Sequence, residues 1–166
     1  EFGVQLYYSA EQTALETAGG IANALRMLQL LSNSPIFLAV SGDVYTDYDY
    51  EQLHSVADEL ARASEPHMHL IMVDNPEFHP QGDFVLHEDG VLYPRDDTHG
   101  RALTFGNIGL YDMRQFEDSV VGEKVAMSPY YRTSIERGLA TGSYFDGVWE
   151  NVGTPLQLDQ LNEKLS

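Results

Sequence analysis

One aspartate stands where an open α/β sheet would place a metal ligand. Asp43 follows the apolar run Ile36–Val40, and ligands of open α/β sheets gather beyond the carboxyl ends of the strands. Carboxylate oxygen is the ligand that Mg²⁺ prefers. Residues 149–154 place a polar side chain at a second strand end, just before a predicted helix. Asp43 is therefore a candidate Mg²⁺ ligand, with a cap of the following loop as its alternative role.

Three glycine-containing segments could let a ligand approach the backbone closely. Residues 17–20 lie near the start of a predicted helix, where free amides suit a base edge or a phosphate. A tight turn with a helix cap is the alternative. Residues 82–84 could admit a sugar or could simply begin a hairpin. Residues 105–109 carry two glycines inside a strand pattern, which indicates a bulge or a closely packed ligand.

Composition excludes several other kinds of chemistry. The sequence has no cysteine, so a disulfide scaffold, a thiolate metal site and a cysteine nucleophile are absent. The six histidines suggest no metal cluster, and no nucleophile-elbow motif occurs. A net charge of −17 disfavours binding to nucleic acid or anionic membranes. No apolar run reaches the roughly 20 residues of a membrane span, and the composition predicts a soluble, cytoplasmic protein.

Strand and helix patterns alternate in the first half of the chain. Residues 4–8 are β-prone, and helical spacing follows Gly20. The continuous apolar run Ile36–Val40 is typical of a strand buried on both faces of a parallel sheet. A capping box at Asp49 predicts a helix, and residues 68–73 predict another strand. This alternation indicates βαβ units and a mostly parallel sheet.

The second half of the chain has a different pattern. Residues 83–87 and 91–93 flank a turn and predict an antiparallel β-hairpin. A strand is predicted at 102–111, a helix at 128–138 and extended chain at 144–152, and Thr154 starts a capped helix. The predicted fold class is α/β, Rossmann-like, with a mixed, mostly parallel sheet and an antiparallel hairpin insertion.

Five segments, in this order, resemble the sugar-1-phosphate nucleotidyltransferase (nucleotide-sugar pyrophosphorylase) family, nearest to a uridylyltransferase branch: residues 15–20, 41–44, 82–84, 104–109 and 149–154. The family begins with a strand, a glycine-rich loop bearing an arginine, and a Pro-Lys-Pro motif, none of which occurs here. The resemblance therefore implies that residues 1–166 are a single partial domain. It would be an N-terminally truncated GT-A-like nucleotidyltransferase fold without the first strands and the phosphate loop.

The resemblance also implies the substrates, the cofactor and the site residues. The substrates would be UTP and a sugar 1-phosphate, the cofactor Mg²⁺, and the role one in the cell wall. The nucleobase pocket would be lined by Thr17, Ala18, Gly19 and Gly20. The sugar phosphate would be bound by Gly82, Asp83, Asn107, Ile108 and Gly109. Asp43 would be the catalytic metal ligand, with Asn151 in the place of the family's second carboxylate.

Two other functions remain open at this point. Asp47, Tyr48 and Asp49 form an Asp-x-Asp pattern that suits a glycosyltransferase, although Asp49 could simply cap the next helix. A non-catalytic binding or regulatory domain of the same fold would fit the asparagine at 151 and the absent phosphate loop. As a nucleotidyltransferase without its phosphate loop, the isolated chain is expected to be inactive. We also expect unpaired sheet edges to favour self-association of the fragment.

Overall fold

The computed structural model describes residues 3–165. Within that range there are four α-helices: α1 (Glu16–Leu31), α2 (Leu53–Arg62), α3 (Ser128–Glu136) and α4 (Pro155–Leu165). The strands are β1 (Ile36–Val40), β2 (Val44–Thr46), β3 (Met68–Val73), β4 (Phe84–Leu86), β5 (Leu92–Pro94), β6 (Arg101–Asp112), β7 (Ala140–Tyr144) and β8 (Trp149–Asn151). No helix in residues 3–165 is both long and apolar enough to span a bilayer.

The long strand β6 organises a mixed six-stranded sheet. The strand order is β5-β4-β6-β3-β7, and β1 also pairs with β6. β3 and β7 form the one parallel pair between strands of the described chain. The predicted α/β class with a mixed sheet and an antiparallel hairpin, here β4–β5, is confirmed. The expected predominance of parallel pairs is not found among the residues described, because β6 pairs antiparallel with β1, β3 and β4. β2 and β8 pair separately as a two-stranded antiparallel ribbon.

The strand β1 differs from its prediction in pairing and burial. It pairs antiparallel with β6 and has no second neighbour among the residues described. Ile36 packs with residues of α2, whereas Leu38 and Val40 are 40% and 42% exposed. The continuous apolar run predicted burial on both faces, and this prediction was wrong. The described helices cover only the start of the strand on that face.

Residues 4–8 do not form the predicted strand. They have no regular secondary structure, and Val4, Leu6 and Tyr8 are largely exposed. A β-prone sequence becomes a strand only when another strand supplies hydrogen-bond partners. No strand in residues 3–165 pairs with this segment, so it does not form a strand despite its β propensity.

The sheet has a hydrophobic core on each face. On one face, Met68, Leu70 and Met72 of β3 pack with residues of α1 and α3. On the other face, Ile71 packs with Leu53 and other residues of α2. This division follows from the alternation of side chains along a strand. The two layers of helices hold β6 and its neighbours in place beneath the cavity described below.

A buried histidine on β3 should make the stability of the fold sensitive to acid. His69 is 6% exposed, and its ring nitrogens bond to the hydroxyls of Thr141 and Ser143 at 2.8 and 3.0 Å. Burial lowers the pKa of His69 to about 4. The unfolded chain, with a histidine pKa near 6.5, binds the proton first as the pH falls. The stabilising contribution is therefore complete above about pH 6.5 and is lost towards pH 4.

We expect the preferential protonation of His69 in the unfolded chain to lower the unfolding free energy by about 2–3 kcal/mol when the pH falls from 7 to 4.5. Urea unfolding of wild type and His69→Gln at both pH values measures this term, because carboxylate effects are common to both proteins. His54→Gln is the matched control, since the His54 side chain is 78% exposed. Equal pH dependence of wild type and His69→Gln would show that His69 does not titrate as described.

Candidate active site

The β2–β8 ribbon brings the two predicted metal ligands together. Val44 lies opposite Asn151 in the ribbon, and Asp43 directly precedes that pair. The amide of Val152 donates to the backbone carbonyl of Asp43 at 2.7 Å. A Cβ placed on Gly153 would lie 3.6 Å from Asn151 Oδ1 and 3.7 Å from Asp43 Oδ2. Both side-chain oxygens therefore border the same small space.

One of these oxygens lacks a partner. Asn151 Oδ1 is buried and accepts no hydrogen bond from any described residue. A buried acceptor without a partner carries a desolvation cost of about 1–3 kcal/mol, and such atoms in native proteins are commonly satisfied by a water or an ion. The chemistry of the pair, one carboxylate and one amide oxygen, suits a hard cation such as Mg²⁺.

The protein offers few ligands for a metal ion at this site, and their number indicates which cation could bind there. Residues 3–165 contain no group of three or more His, Cys, Asp and Glu side chains that could hold a metal. Mg²⁺ is commonly bound by one or two protein oxygens, with waters and substrate phosphates completing its shell. Glu150 does not add a third ligand, since it forms an ion pair with Lys164 of α4. Asp43 and Asn151 thus fit Mg²⁺ better than a metal that needs a complete protein cage.

A cavity of about 780 Å³ opens beside Asn151. Its wall includes residues of the β4–β5 hairpin, β6, α3 and β8. Three of the predicted site residues line it: Asp83, Asn107 and Asn151. Small-molecule sites typically have volumes of about 300–1,000 Å³. The cavity is therefore large enough for a sugar phosphate next to the candidate metal site.

A bulge in β6 places Asn107 in this wall. The register with β3 shifts between Leu70, which faces Gly109, and Met72, which faces Phe105. Asn107 has a φ of 57°, a left-handed conformation that asparagine tolerates better than most residues. Its carbonyl accepts from the amide of Ser41 at 3.0 Å, which ties the bulge to the loop carrying Asp43. The predicted bulge is confirmed, and it brings Asn107 into the wall of the cavity.

Asp83 is held in place by the protein itself. Its Oδ2 accepts from the amide of Phe105 at 2.8 Å, and its Oδ1 lies 3.1 Å from His79 Nε2. Gly82 has a φ of 64°, and a Cβ there would lie 2.6 Å from the carbonyl oxygen of Leu103. The need for glycine at this position comes from the close approach of β6. Asp83 therefore fixes the hairpin against β6 and orients His79, which also lines the cavity.

The remaining predicted residues lie away from the cavity wall. Thr17, Ala18, Gly19 and Gly20 form the first turns of α1. Ala18 and Gly19 are buried, and the amide of Gly19 donates to Val125 at 3.1 Å. Ile108 is fully buried in the core facing α2, and Gly109 packs against Tyr111. A ligand could contact Ile108 through its backbone but not through its side chain.

Sequence comparison shows which family this arrangement belongs to. The chain is 36% identical over 160 residues to N-acetylmuramate α-1-phosphate uridylyltransferase of Neisseria meningitidis serogroup B, covering 96% of the chain and 66% of that relative. The protein of the same name from Caulobacter vibrioides is 27% identical over 148 residues, covering 86% and 58%. The chain belongs to the sugar-1-phosphate nucleotidyltransferase family. It spans somewhat less than two thirds of these curated relatives.

Solved structures support the same fold. HddC from Yersinia pseudotuberculosis, in a crystal structure described as complexed with GMP-PN, superposes with a TM-score of 0.68 at 15% identity, covering 94% of the chain and 65% of HddC. A proposed glucose-1-phosphate thymidylyltransferase from Bacillus anthracis gives 0.73 at 14% identity, covering 98% and 66%. No protein-family model matches the chain. At these identities the structures establish the nucleotidyltransferase fold, in agreement with the predicted GT-A-like class.

The sequence interpretation missed several side chains that line the cavity. Trp149 lies in a candidate segment in which its sequence context indicates no role for it, yet its Nε1 donates to the carbonyl of Gly106 at 2.8 Å and joins β8 to the bulge. Tyr131 of α3 bonds to Tyr111 at 3.1 Å, and burial raises the pKa of Tyr131 to about 12. Tyr131 is therefore a neutral phenol at working pH. The helical spacing of α3 could not show which of its polar residues face the cavity.

A substitution at Gly153 would test the candidate metal site directly. An alanine Cβ there would meet its nearest heavy atoms at 3.6 to 3.8 Å, which is ordinary contact. We expect Gly153→Ala to change the unfolding free energy by less than about 1 kcal/mol. The methyl group would occupy the space between Asp43 and Asn151, so the Mg²⁺ concentration for half-maximal turnover should rise at least about tenfold.

Gly42→Ala is the control for this substitution, because a Cβ at Gly42 would meet nothing within 4 Å. Thermal unfolding and a Mg²⁺ titration of activity in the full-length protein measure the two effects. An unchanged Mg²⁺ requirement in Gly153→Ala would show that the cation does not occupy this space.

Proposed function

We propose that the full-length protein joins UTP to a sugar 1-phosphate, forming a nucleotide sugar and pyrophosphate. The observation that carries this proposal is the unpartnered Asn151 Oδ1, which borders one space with Asp43 Oδ2 at the edge of the cavity. Membership of the family supports nucleotidyl transfer as the reaction. The names of the curated relatives support uridine as the base and N-acetylmuramate as the sugar.

In this proposal, a phosphate oxygen of the sugar 1-phosphate attacks the α-phosphorus of UTP, and pyrophosphate leaves. No covalent enzyme intermediate is needed, so the protein contributes mainly by positioning and by electrostatic stabilisation. The cavity residues Asn107 and Tyr131 offer an amide and a neutral phenol to hydroxyl groups of the sugar. Trp149 keeps the bulge and β8 together, so that the sugar and the metal ligands stay in one geometry.

Mg²⁺ would be held by Asp43 and Asn151. When bound, it would supply positive charge to the phosphate oxygens in the transition state. Asp43 contributes the full negative charge of a carboxylate, and Asn151 contributes a neutral dipole. Asp43 therefore provides most of the attraction for the cation.

The nucleobase is assigned to the first turns of α1. Free amides and the positive end of the helix dipole favour polar acceptor atoms there. The carboxylate of Glu11 lies over Gly20, since a Cβ on Gly20 would come within 2.8 Å of Glu11 Oε1. Glu11 Oε2 also accepts from the amide of Leu15 at 3.0 Å. A base that packs on Gly20 must therefore either displace this carboxylate or donate a hydrogen bond to it, as the N3–H of uracil could.

Two alternatives receive less support. The Asp-x-Asp pattern of a glycosyltransferase is occupied by structural contacts: Asp47 Oδ1 accepts from the amide of Val148 at 2.8 Å, and Asp49 Oδ1 accepts from that of Glu51 at 3.1 Å. Tyr48 between them is buried in the core. A non-catalytic role for the domain would leave the unpartnered Asn151 oxygen without a purpose.

We also place the protein in the cytoplasm, where UTP is available.

The experiment that tests the proposed function measures pyrophosphate release from UTP and a panel of sugar 1-phosphates with Mg²⁺. The full-length protein and the 166-residue chain are assayed side by side. We expect release by the full-length protein and none by the chain, because the chain contains neither the arginine-bearing glycine loop nor the Pro-Lys-Pro motif of the family. Sugar transfer from a nucleotide sugar, without pyrophosphate, would support the glycosyltransferase. No turnover and no calorimetric binding of UTP would support the non-catalytic domain.

The free edge of β1 should make the isolated chain self-associate. The strand is apolar throughout, contains no proline or charge, and pairs on one side only within the described chain, which are the properties of an aggregation-prone edge. We expect sedimentation at increasing concentration to show dimers of the 166-residue chain that are lost in Leu38→Lys. Leu30→Lys, at an exposed position of α1, is the control. A wild-type monomer at every concentration would contradict this expectation.

A further inference from the structure

The arginines and lysines of this chain fall into two groups, those that form ion pairs and those that do not. Of the nine arginines and lysines, six form ion pairs with carboxylates of the chain. Three have no ion pair or hydrogen bond to any residue in 3–165: Arg26, Arg95 and Arg132. The chain has 26 acidic residues and a net charge of −17, so most cations find a partner. The three unpaired guanidinium groups are therefore the ones available to an external anion.

Two of these three arginines line the cavity. Arg95 directly follows β5, and Arg132 lies on α3. The helix α3 packs against β5, so the two guanidinium groups come from neighbouring elements of the wall. Arg26 lies on α1 and is not among the residues that line the cavity. The side of the cavity formed by β5 and α3 thus carries two unpaired positive charges.

Arg95 lies away from the candidate metal site. Asp43 and Asn151 adjoin β6 through the bulge at Asn107 and the contact of Trp149 with Gly106. Arg95 follows β5, which is separated from β6 by β4. Two inter-strand spacings amount to about 10 Å, which exceeds the width of a single phosphate group. A phosphate held beside Asn151 therefore leaves Arg95 free for another group of the same substrate.

The acidic residues of the wall do not neutralise these arginines. Both carboxylate oxygens of Asp83 are engaged, by the amide of Phe105 and by His79. Glu136 lies one helical turn after Arg132 but forms no ion pair with it. A guanidinium presents a planar fork of donors that matches a carboxylate in two parallel hydrogen bonds. A carboxylate on the substrate would therefore fit the groups that are still unpaired.

We propose that Arg95 and Arg132 are the specificity-determining residues that bind the carboxylate of an acidic sugar 1-phosphate. The inference rests on the proposed function and adds to it the residues that select the sugar. The anomeric phosphate lies at the Asp43 and Asn151 end, and the sugar carboxylate at the β5 and α3 end. A neutral sugar 1-phosphate leaves both arginines unpaired and binds more weakly.

The test compares two sugar phosphates that differ in one acidic substituent. N-acetylmuramate 1-phosphate carries a lactyl carboxylate that N-acetylglucosamine 1-phosphate lacks. Calorimetric titration of the full-length protein should show at least about tenfold tighter binding of the acidic sugar, the effect of one charge-assisted hydrogen-bonding group. Arg95→Gln and Arg132→Gln should each weaken binding of the acidic sugar about tenfold or more and leave the neutral sugar within about twofold. Arg26→Gln, the unpaired cation outside the cavity, should change neither.

The outcomes separate this inference from the proposed function. Equal affinity of the wild type for the two sugars would overturn the inference. An equal loss of affinity for both sugars in the Arg95 and Arg132 variants would overturn it as well. Pyrophosphate release with neutral sugar 1-phosphates alone would keep the proposed function and overturn the inference. No pyrophosphate release with any sugar 1-phosphate would overturn the function itself. Both arginines are exposed, so thermal unfolding should confirm that the variants are folded.

Discussion

Replacing Asp43 with asparagine should lower turnover of the full-length protein at least about 100-fold, since the substitution removes the one carboxylate of the candidate metal site. The Asp43 side chain is exposed and makes no hydrogen bond or ion pair with another described residue. The unfolding free energy should therefore change by less than about 0.5 kcal/mol. Pyrophosphate release at saturating Mg²⁺ and urea unfolding measure the two quantities. Full activity of Asp43→Asn would mean that the site is assigned to the wrong residue.

The two neighbouring positions provide matched variants for this test. Asn151→Asp adds a carboxylate whose oxygen replaces the unpartnered amide oxygen, so the Mg²⁺ concentration for half-maximal rate should fall. Glu150→Gln should leave the Mg²⁺ dependence unchanged, because Glu150 is paired with Lys164 on α4. A Mg²⁺ titration that ranks the variants differently, with Glu150→Gln affected and Asn151→Asp not, would contradict the geometry of the ribbon.

The largest effect on stability is expected at the end of β6. Asp112 is fully buried, and both of its oxygens lie 3.0 Å from Arg114 Nε. Arg114 also donates to the backbone carbonyls of Ala63 and Ser64, at 3.1 and 3.3 Å, and so ties the end of α2 to the sheet. Arg114→Met should lower the unfolding free energy by about 3–5 kcal/mol, because it leaves a buried carboxylate without its partner.

A double variant distinguishes loss of the pair from an uncompensated charge. Asp112→Asn combined with Arg114→Met removes both charges and should recover part of the stability lost in the single variant. Arg137→Met is the control, since its ion pair with Glu65 is about half exposed and should contribute less than about 1 kcal/mol. Urea unfolding at neutral pH measures all three. A loss in Arg114→Met no larger than in Arg137→Met would show that the buried pair does not stabilise the fold.

Local sequence signals predicted most of the individual elements. The capped helix at Thr154 is present, with Thr154 Oγ1 accepting from the amide of Gln157 at 3.3 Å. Asp49 caps the next turn as expected, and the β4–β5 hairpin follows its turn residues. These features depend on neighbouring residues in the chain, and their hydrogen bonds are made within a few positions. Elements of this kind can be read from spacing and residue type.

Pairing between distant strands could not be read in the same way. Ile36–Val40 reads as a strand buried on both faces, yet its burial depends on how far α2 extends over it and on which strands lie beside it. Residues 4–8 have strand propensity but no strand partner in the described chain. Neither the coverage of a face nor the presence of a partner is a property of the local sequence.

For the site, the sequence by itself indicated Asp43 as a candidate metal ligand, a bulge or a closely packed ligand around Asn107, and the family. Each depends on residue types at fixed local spacing. Local spacing could not show that Asn151 lies beside Asp43, which only the family resemblance implied, because the ribbon pairs residues more than 100 positions apart. Only the tertiary structure decided that Arg95 and Arg132 line the cavity beside Asn151, where none of the other seven described cations lies. An arginine has the same local signature whether a carboxylate of the fold lies next to it or not, so which cations remain free for a ligand is set by packing alone.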